Sequence, residues 1–453
     1  MTTNRMNRRI FLKKLGLGAV VSAAPCIVPS SVFGANAPSN RITLGCIGVG
    51  GMGTNNLRNF MGQPDVQIVA VCDPVKETNE YGHWYRHGWN GNYFGREAAR
   101  KIVDDYYSSK SSRSYKGCNA YVDFRELLER DNIDAVMIAV PDHWHAVMAV
   151  TAADKGKHIY GEKPLALTIA EGRAIVEAVR RNNVVFQTGT HRRSDTSTRF
   201  ACELVRNGYL GQLQKMRVEL AGNNRNAPTG AWDPMPVPDW LDYEMWLGPA
   251  PKALYHKKRC LYSFRFIQDY SGGQTTNNGV HAFDICQWGN GTDRTGPIKI
   301  EDLGGVYPQD GLFDVVEHIH FRATYVNGVE LTCETVPDAF RIIFTGSEGT
   351  LSTNGSEIQT WPESLKSVEI KPDDIHLYLS HNHYRNFIDS IKYNIEPAAP
   401  VETGHYSTNI PHLGNIAMKL KRTLQWDPDK ELFPGDAQAN RFLNKSLRGV
   451  WRI

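Results

Sequence analysis

Gly48-Val49-Gly50-Gly51-Met52-Gly53 stands directly after the apolar run Ile42–Ile47 and leads into the helix-like stretch Thr54–Met61. A second apolar run, Val66–Cys72, ends at Asp73, which lies 20 residues beyond Gly53. Glycines between a strand and a helix, with an acid at that distance, form a dinucleotide-binding fingerprint. Gly48 permits the tight turn. Gly50 lets the backbone approach a pyrophosphate at the helix N-terminus, and Gly53 allows the helix to pack closely on the strand. Val49, Gly51 and Met52 complete the loop. The Asp73 carboxylate can accept hydrogen bonds from both ribose hydroxyls and would repel a 2′-phosphate, so the pattern favours NAD over NADP.

The alternation of strand and helix continues. Asp134–Val140 reads as a buried strand running into Pro141-Asp142-His143-Trp144-His145 and an alanine-rich helix. Pro141 and His145 are therefore expected to shape the nicotinamide pocket. His158–Gly161 is a short strand that leads to Glu162-Lys163-Pro164. Thr168–Arg181 has helical periodicity, with Thr168 and Glu171 spaced as a capping box, and Val184–Thr188 reads as a sixth strand. Such alternation predicts an α/β chain with a doubly wound parallel sheet. Tyr81–Lys116 is a long connection rich in Tyr, Trp, His and Arg, read as a surface insertion, a lid or a subunit contact.

The net charge of +3 comes from the N-terminus: residues 1–37 contain Arg5, Arg8, Arg9, Lys13 and Lys14 and no acid, which leaves −2 for the rest. Asn7-Arg8-Arg9-Ile10-Phe11-Leu12-Lys13, followed by a small-residue and apolar stretch to Val28, resembles a twin-arginine export signal. The stretch is too short for a membrane span and is broken by Pro25 and Pro29. The expected location is periplasmic, reached already folded. No later segment suits a span, and without the leader no basic patch suits nucleic acid. Of the eight cysteines, seven lie beyond Cys26, an odd number. Mostly free buried thiols are expected. His143-x-His145 and His381-x-His383 lack the partners of a metal site, so no metal is expected.

Gly48–Gly53, Glu162-Lys163-Pro164 and Gly279-Val280-His281-Ala282-Phe283-Asp284 occur in order. Together they resemble the Gfo/Idh/MocA family of glucose–fructose oxidoreductases and inositol dehydrogenases. Gln187–Arg193, Trp246–Pro251, Asp269–Gly273 and His412–Asn415 add a likeness to an exported bacterial subgroup. The resemblance implies a second, α+β domain with a large, mostly antiparallel open sheet, and a homo-oligomer. Gln214–Leu220, Ile298–Gly304, Glu317–Thr324, Val329–Thr335 and Arg341–Gly346 are compatible strands. Asn382–Lys392 and His405–Thr423 read as late helices that pack back across both domains. The expected division is a signal peptide at 1–37, a nucleotide domain at 38–165 and a substrate domain at 166–453. Pro228–Pro251, rich in proline and tryptophan, is a loop suited to a sugar site.

By that resemblance Lys163, just past a strand end, hydrogen-bonds the reacting oxygen, and His281 handles the proton. The family has Asp-x-x-x-His, whereas Asn277 occupies the aspartate position here. An amide cannot take a proton, so Asn277 is left to orient a hydroxyl. Arg192, His191, Tyr270, Trp240 and Asp284 are the candidate substrate contacts, with a domain-junction salt bridge as the rival role for the Arg192-Arg193 pair. The leading expectation is an exported NAD(P)-dependent oxidoreductase acting on a sugar or polyol, with its cofactor tightly bound. A redox-neutral NAD-dependent glycoside hydrolase is the first alternative, because an exported enzyme without free NAD must reset its own cofactor. A non-catalytic sugar-binding protein is the second.

Overall fold

The computed structural model describes residues 40–83, 92–110, 116–222 and 231–453. The twin-arginine segment at 1–37 lies outside the described residues, as do parts of the Tyr81–Lys116 connection and of the Pro228–Pro251 loop. The chain begins with β1 (Ile42–Ile47), α1 (Gly51–Met61), β2 (Val66–Cys72), α2 (Arg96–Ser109) and β3 (Asn119–Tyr121). It continues with α3 (Phe124–Leu128), β4 (Ala135–Ile138), α4 (Asp142–Asp154), β5 (His158–Gly161), α5 (Ile169–Asn182) and β6 (Phe186–Thr188). The strands form a sheet in the order β3-β2-β1-β4-β5-β6, every neighbouring pair parallel. The order reverses between β1 and β4, and there the strand ends diverge to leave a crevice. β4 is buried along its whole length, as a strand covered by helices on both faces must be. This parallel sheet extends past residue 165 to Thr188.

The second half comprises α6 (Thr196–Arg206), β7 (Leu213–Leu220), α7 (Tyr243–Leu247), α8 (Gln274–Asn277), α9 (Gly279–Asn290), β8 (Lys299–Asp302), β9 (His320–Thr324), β10 (Glu330–Thr335), β11 (Phe340–Gly346), β12 (Thr350–Thr353), β13 (Ile358–Trp361), α10 (His383–Tyr393), α11 (Val401–Leu420), β14 (Leu424–Gln425) and α12 (Ala437–Asn440). Its eight strands run in the order β13-β12-β11-β7-β10-β9-β8-β14. Among the described residues, only β7 and β10 pair in parallel; the other neighbours are antiparallel. Burial alternates along β9 and β12, the mark of a sheet covered on one face. The covered face carries Val218, Phe321, Leu331 and Phe344, which share one core with Phe283 and Cys286 of α9 and Leu413 and Ala417 of α11.

α11 also packs against α5 and β6, and α10 packs against α1. The late helices thus span both sheets. Phe387 and Ile388 of α10 enter the core that holds Leu44, Leu57 and Tyr160 of the nucleotide half. All seven cysteines from Cys46 to Cys333 are buried and free. No helix among the described residues is long and apolar enough to cross a membrane.

Candidate active site

β1 ends at the glycine turn. Gly48 has φ +79°, and a Cβ there would lie 2.3 Å from the Ala139 carbonyl oxygen. A Cβ on Gly53 would come within 1.9 Å of the Gly48 carbonyl oxygen, so both positions require glycine. At Gly50 it would meet the Tyr81 ring at 2.9 Å. No side chain caps the N-terminus of α1. Its first-turn N–H groups therefore point, without intrahelical partners, into a cleft of about 850 Å³. Gly48, Gly50, Gly51, Met52, Gly53, Asp73, Pro74, Ala139, Val140 and Pro141 line it. Asp73 closes the far wall. Its Oδ2 accepts the Val49 N–H and its Oδ1 the Val75 N–H, both at 2.8 Å. Burial pushes its pKa up to about 6, against those two hydrogen bonds. A glycine cradle, an uncapped helix terminus and an ionisable carboxylate at the ribose position fit a dinucleotide. NAD, when bound, supplies the hydride acceptor.

Val49 does not line that cleft: its side chain is fully buried and its N–H is taken by Asp73. His145 is likewise turned inward. It is 3% exposed, and its ring nitrogen pairs with the Val140 carbonyl at 2.9 Å. It bonds to Val140, which lines the cleft, and does not line the cleft itself.

A second part of the cleft, sharing Met52, Ala139, Val140, Tyr262, Phe264 and Arg265 with the first, adds Asp142, Glu162, Lys163, Asn277, Asn278 and His281. Lys163 follows β5 directly. Its Nζ donates to the Asn277 carbonyl at 2.7 Å and to Asn277 Oδ1 at 3.0 Å. Burial, and then the Arg265 guanidinium, lower the Lys163 pKa to about 8. Asn277 ends α8, and its Nδ2 donates to Gln274 Oε1 at 2.9 Å. His281 sits in the first turn of α9, its Nδ1 buried without a partner. Burial, then the nearby Lys163 charge, push its pKa well below 6.5, so its ring is neutral at pH 7. The structure thus brings the three expected catalytic side chains to one wall.

Glu162 is 4% exposed. Asn56 Nδ2 donates to its Oε1 at 2.9 Å, and the His191 ring nitrogen lies 3.4 Å from the same oxygen. Burial works against its ionisation, but His191, Lys163 and Asn56 together hold its pKa at about 2. His191 also pairs with the Tyr160 hydroxyl at 3.1 Å. Asp142, at the start of α4, accepts the Ser271 hydroxyl at 2.6 Å, and burial raises its pKa.

Four of the expected substrate contacts lie elsewhere. Tyr270 is wholly buried, packed at 5.0 Å edge-on to Trp246 and bonded through its hydroxyl to Arg259. Asp284 is wholly buried and takes Arg193 Nε on both oxygens, at 3.0 and 2.9 Å. One helical turn past His281 puts Asp284 on the adjoining core face, not on the cleft. Trp240 packs half-buried against the cluster around Leu241 and Trp246 and lines neither part of the cleft. Arg192 reaches across to the Gly355 carbonyl at 2.6 Å and the Ser356 hydroxyl at 2.8 Å. Arg265 and Asp142, by contrast, line the cleft although neither is among the expected site residues. Among the described residues, no group of three or more His, Cys, Asp or Glu could hold a metal ion.

Two family models match the chain. "Oxidoreductase family, NAD-binding Rossmann fold" covers residues 42–190, and "Oxidoreductase family, C-terminal alpha/beta domain" covers 196–453. Among curated relatives, a glycosyl hydrolase family 109 protein of Shewanella pealeana is 29% identical over 227 residues, 46% of this chain and 44% of that one. An alpha-N-acetylgalactosaminidase of Shewanella oneidensis is 28% identical over 228 residues, 46% of this chain and 45% of that one. The chain therefore spans less than half the length of these relatives. The fold resembles the WlbA dehydrogenase of Bordetella pertussis, solved with NADH and UDP-GlcNAcA, at TM-score 0.60 and 15% identity over 85% of this chain and 99% of that one. It also resembles an aldose-aldose oxidoreductase of Caulobacter crescentus complexed with glycerol, at TM-score 0.57 and 16% identity over the same shares. With both halves matched and the nucleotide cradle formed, the chain belongs to the Gfo/Idh/MocA family of NAD-binding oxidoreductases.

Proposed function

We propose that this chain is an exported, periplasmic enzyme that oxidises a hydroxyl of a sugar or polyol and keeps its NAD tightly bound. One observation carries the catalytic part: Lys163 Nζ, Asn277 and His281 converge beside the wall shared with the nucleotide cleft. Oxidation of an alcohol needs a group that takes the hydroxyl proton. Asn277 cannot. With a pKa of about 8, Lys163 is neutral in about one molecule in ten at pH 7 and can accept that proton through its lone pair. His281, already neutral, can accept it too or pass it on. Asn277 fixes the ammonium of Lys163 where the reacting oxygen must lie. Glu162, held ionised, keeps the wall under Lys163 polar.

The twin-arginine leader supports export with the cofactor aboard, since that route carries folded proteins. Mass spectrometry of the purified chain should find NAD at near-stoichiometric amounts. Turnover of a sugar or polyol should follow, and Lys163→Ala and His281→Ala should each abolish it. Full activity in both variants would remove this assignment.

The curated relatives favour a second reading. They are named as glycoside hydrolases, and a hydrolase that oxidises, eliminates, adds water and reduces leaves its cofactor unchanged. Such a cycle suits an exported enzyme with no cofactor supply. Incubation with a glycoside panel without added NAD separates the readings: free sugar released over many turnovers supports hydrolysis, and a single-turnover burst supports net oxidation.

A further inference from the structure

Two cations meet at one neutral oxygen in the cleft. Lys163 Nζ and Arg265 Nε both donate to Asn277 Oδ1, at 3.0 and 3.2 Å. Arg265 is further fixed by a 3.1 Å hydrogen bond from Nη1 to the Tyr262 carbonyl. Its guanidinium carbon lies 4.7 Å from the Tyr262 ring centre and 4.6 Å from that of Phe264. The half-buried side chain lines both parts of the cleft, at the seam where a substrate meets the nucleotide. Among the described residues, neither Lys163 nor Arg265 forms an ion pair; each is held by hydrogen bonds to neutral acceptors.

The acids on the same wall are committed elsewhere. Asp142 is 5% exposed and holds the Ser271 hydroxyl; Glu162 is 4% exposed and engaged by Asn56 and His191. A carboxylate at position 277 would pair with both cations directly; the amide there does not, and Glu162 and Asp142 act on them only through space. Confining two like charges costs free energy that an anion between them would recover. A guanidinium held by aromatic rings and a carbonyl presents its remaining N–H edge in a fixed orientation. That is the geometry which suits a planar carboxylate better than a neutral hydroxymethyl group.

We propose that the substrate carries a carboxylate, as a uronic acid or its glycoside does, and that Arg265 is the residue selecting it. This rests on the sugar-oxidation reading and names the class of sugar within it.

The test uses the full chain with its NAD and matched pairs of sugars: methyl galacturonide against methyl galactoside, and methyl glucuronide against methyl glucoside. In at least one pair, kcat/KM should favour the uronate by about tenfold or more, the size of one charge-assisted hydrogen bond. Arg265→Met should bring that ratio close to one, Arg265→Lys should retain part of it, and Asn277→Asp should lower it by supplying the missing anion. Circular dichroism and bound NAD monitor folding and cofactor in each variant. A wild-type ratio of one or less overturns the inference. So does an Arg265→Met variant that sheds NAD and slows both sugars equally, which would make Arg265 a cofactor contact. If neither member of any pair turns over, the oxidation reading falls. Titration calorimetry then decides the charge preference alone: galacturonate bound at least about tenfold more tightly than galactose supports it, and equal binding overturns it.

Discussion

Lys163 is the residue whose surroundings make the sharpest demand. Its pKa stands at about 8 because it is buried and because Arg265 lies beside it. If the neutral amine accepts the proton, kcat for oxidation should rise with pH and level off above about 8. Arg265→Met removes a positive neighbour, so the Lys163 pKa should climb toward its ordinary value and carry the limb to higher pH. A pH–kcat profile of both proteins checks the direction; a rate already level below pH 6.5 in both assigns the proton to His281. Asp73 poses a separate question. Its carboxylate faces the ribose end of the cleft and is ionised above about pH 6. Asp73→Ser should weaken NAD binding by about tenfold, the loss of one or two hydrogen bonds to a charged group, while narrowing the gap between NAD and NADP. Fluorescence titration with both nucleotides measures it. Asp73 and Lys163 were legible in the sequence because strand ends announce them. Arg265 was not: a single arginine in an irregular aromatic stretch has no period. Tyr262, Phe264 and Phe266 flanking it were the available signal, since alternate aromatic rings offer a guanidinium its stacking partners.

At the scale of elements, the turn from β1 into α1 tolerates no Cβ. Gly53→Ala would drive a methyl group to 1.9 Å from the Gly48 carbonyl, and backbone cannot yield as a side chain would. The expected result is loss of bound NAD with most of the remaining fold kept, read by mass spectrometry beside circular dichroism. α5 shows a milder device. Thr168 Oγ1 accepts the Glu171 N–H at 3.2 Å, and Glu171 Oε2 accepts the Leu167 N–H at 3.0 Å. Thr168→Ala should therefore cost about 1 kcal/mol in a denaturant titration. Cap and helix were both readable, since their signals are three residues apart. The same holds for β1, β2 and β5, whose observed bounds coincide with the apolar runs. The short outer strands β12, β13 and β14 were not readable. They have two to four residues each, too few to establish a period, and depend on neighbours for their pairing. Asp284 shows the remaining gap. Helical spacing places His281 and Asp284 close together, but it does not say which side of the helix the cleft is on.

On the scale of the whole molecule, the two sheets are tied by buried charge as well as by apolar packing. Arg193 lies in the short turn His191–Ser194 that follows β6, the last strand of the parallel sheet. It reaches Asp284 on α9 and is also bonded to Asp293, while Asp284 in turn accepts the Ser407 hydroxyl of α11 at 2.8 Å. One guanidinium thereby joins the end of the nucleotide sheet to α9 directly and, through Asp284, to α11, two of the helices that cover the large sheet. Burial opposes its charge, but the two carboxylates outweigh it and raise the Arg193 pKa. Removing one partner of such a pair strands the other in the interior, at a cost of about 3–5 kcal/mol. Arg193→Met should therefore lower the stability of the chain by that amount in a denaturant titration. Arg193→Met combined with Asp284→Asn removes the stranded charge and should recover part of the loss. The two sheets should also lose cooperativity, giving separate transitions for nucleotide release and for unfolding of the large sheet. If Arg193→Met costs less than about 1 kcal/mol, like an exposed pair, then apolar packing of α10 and α11 across both halves is what holds the cleft together.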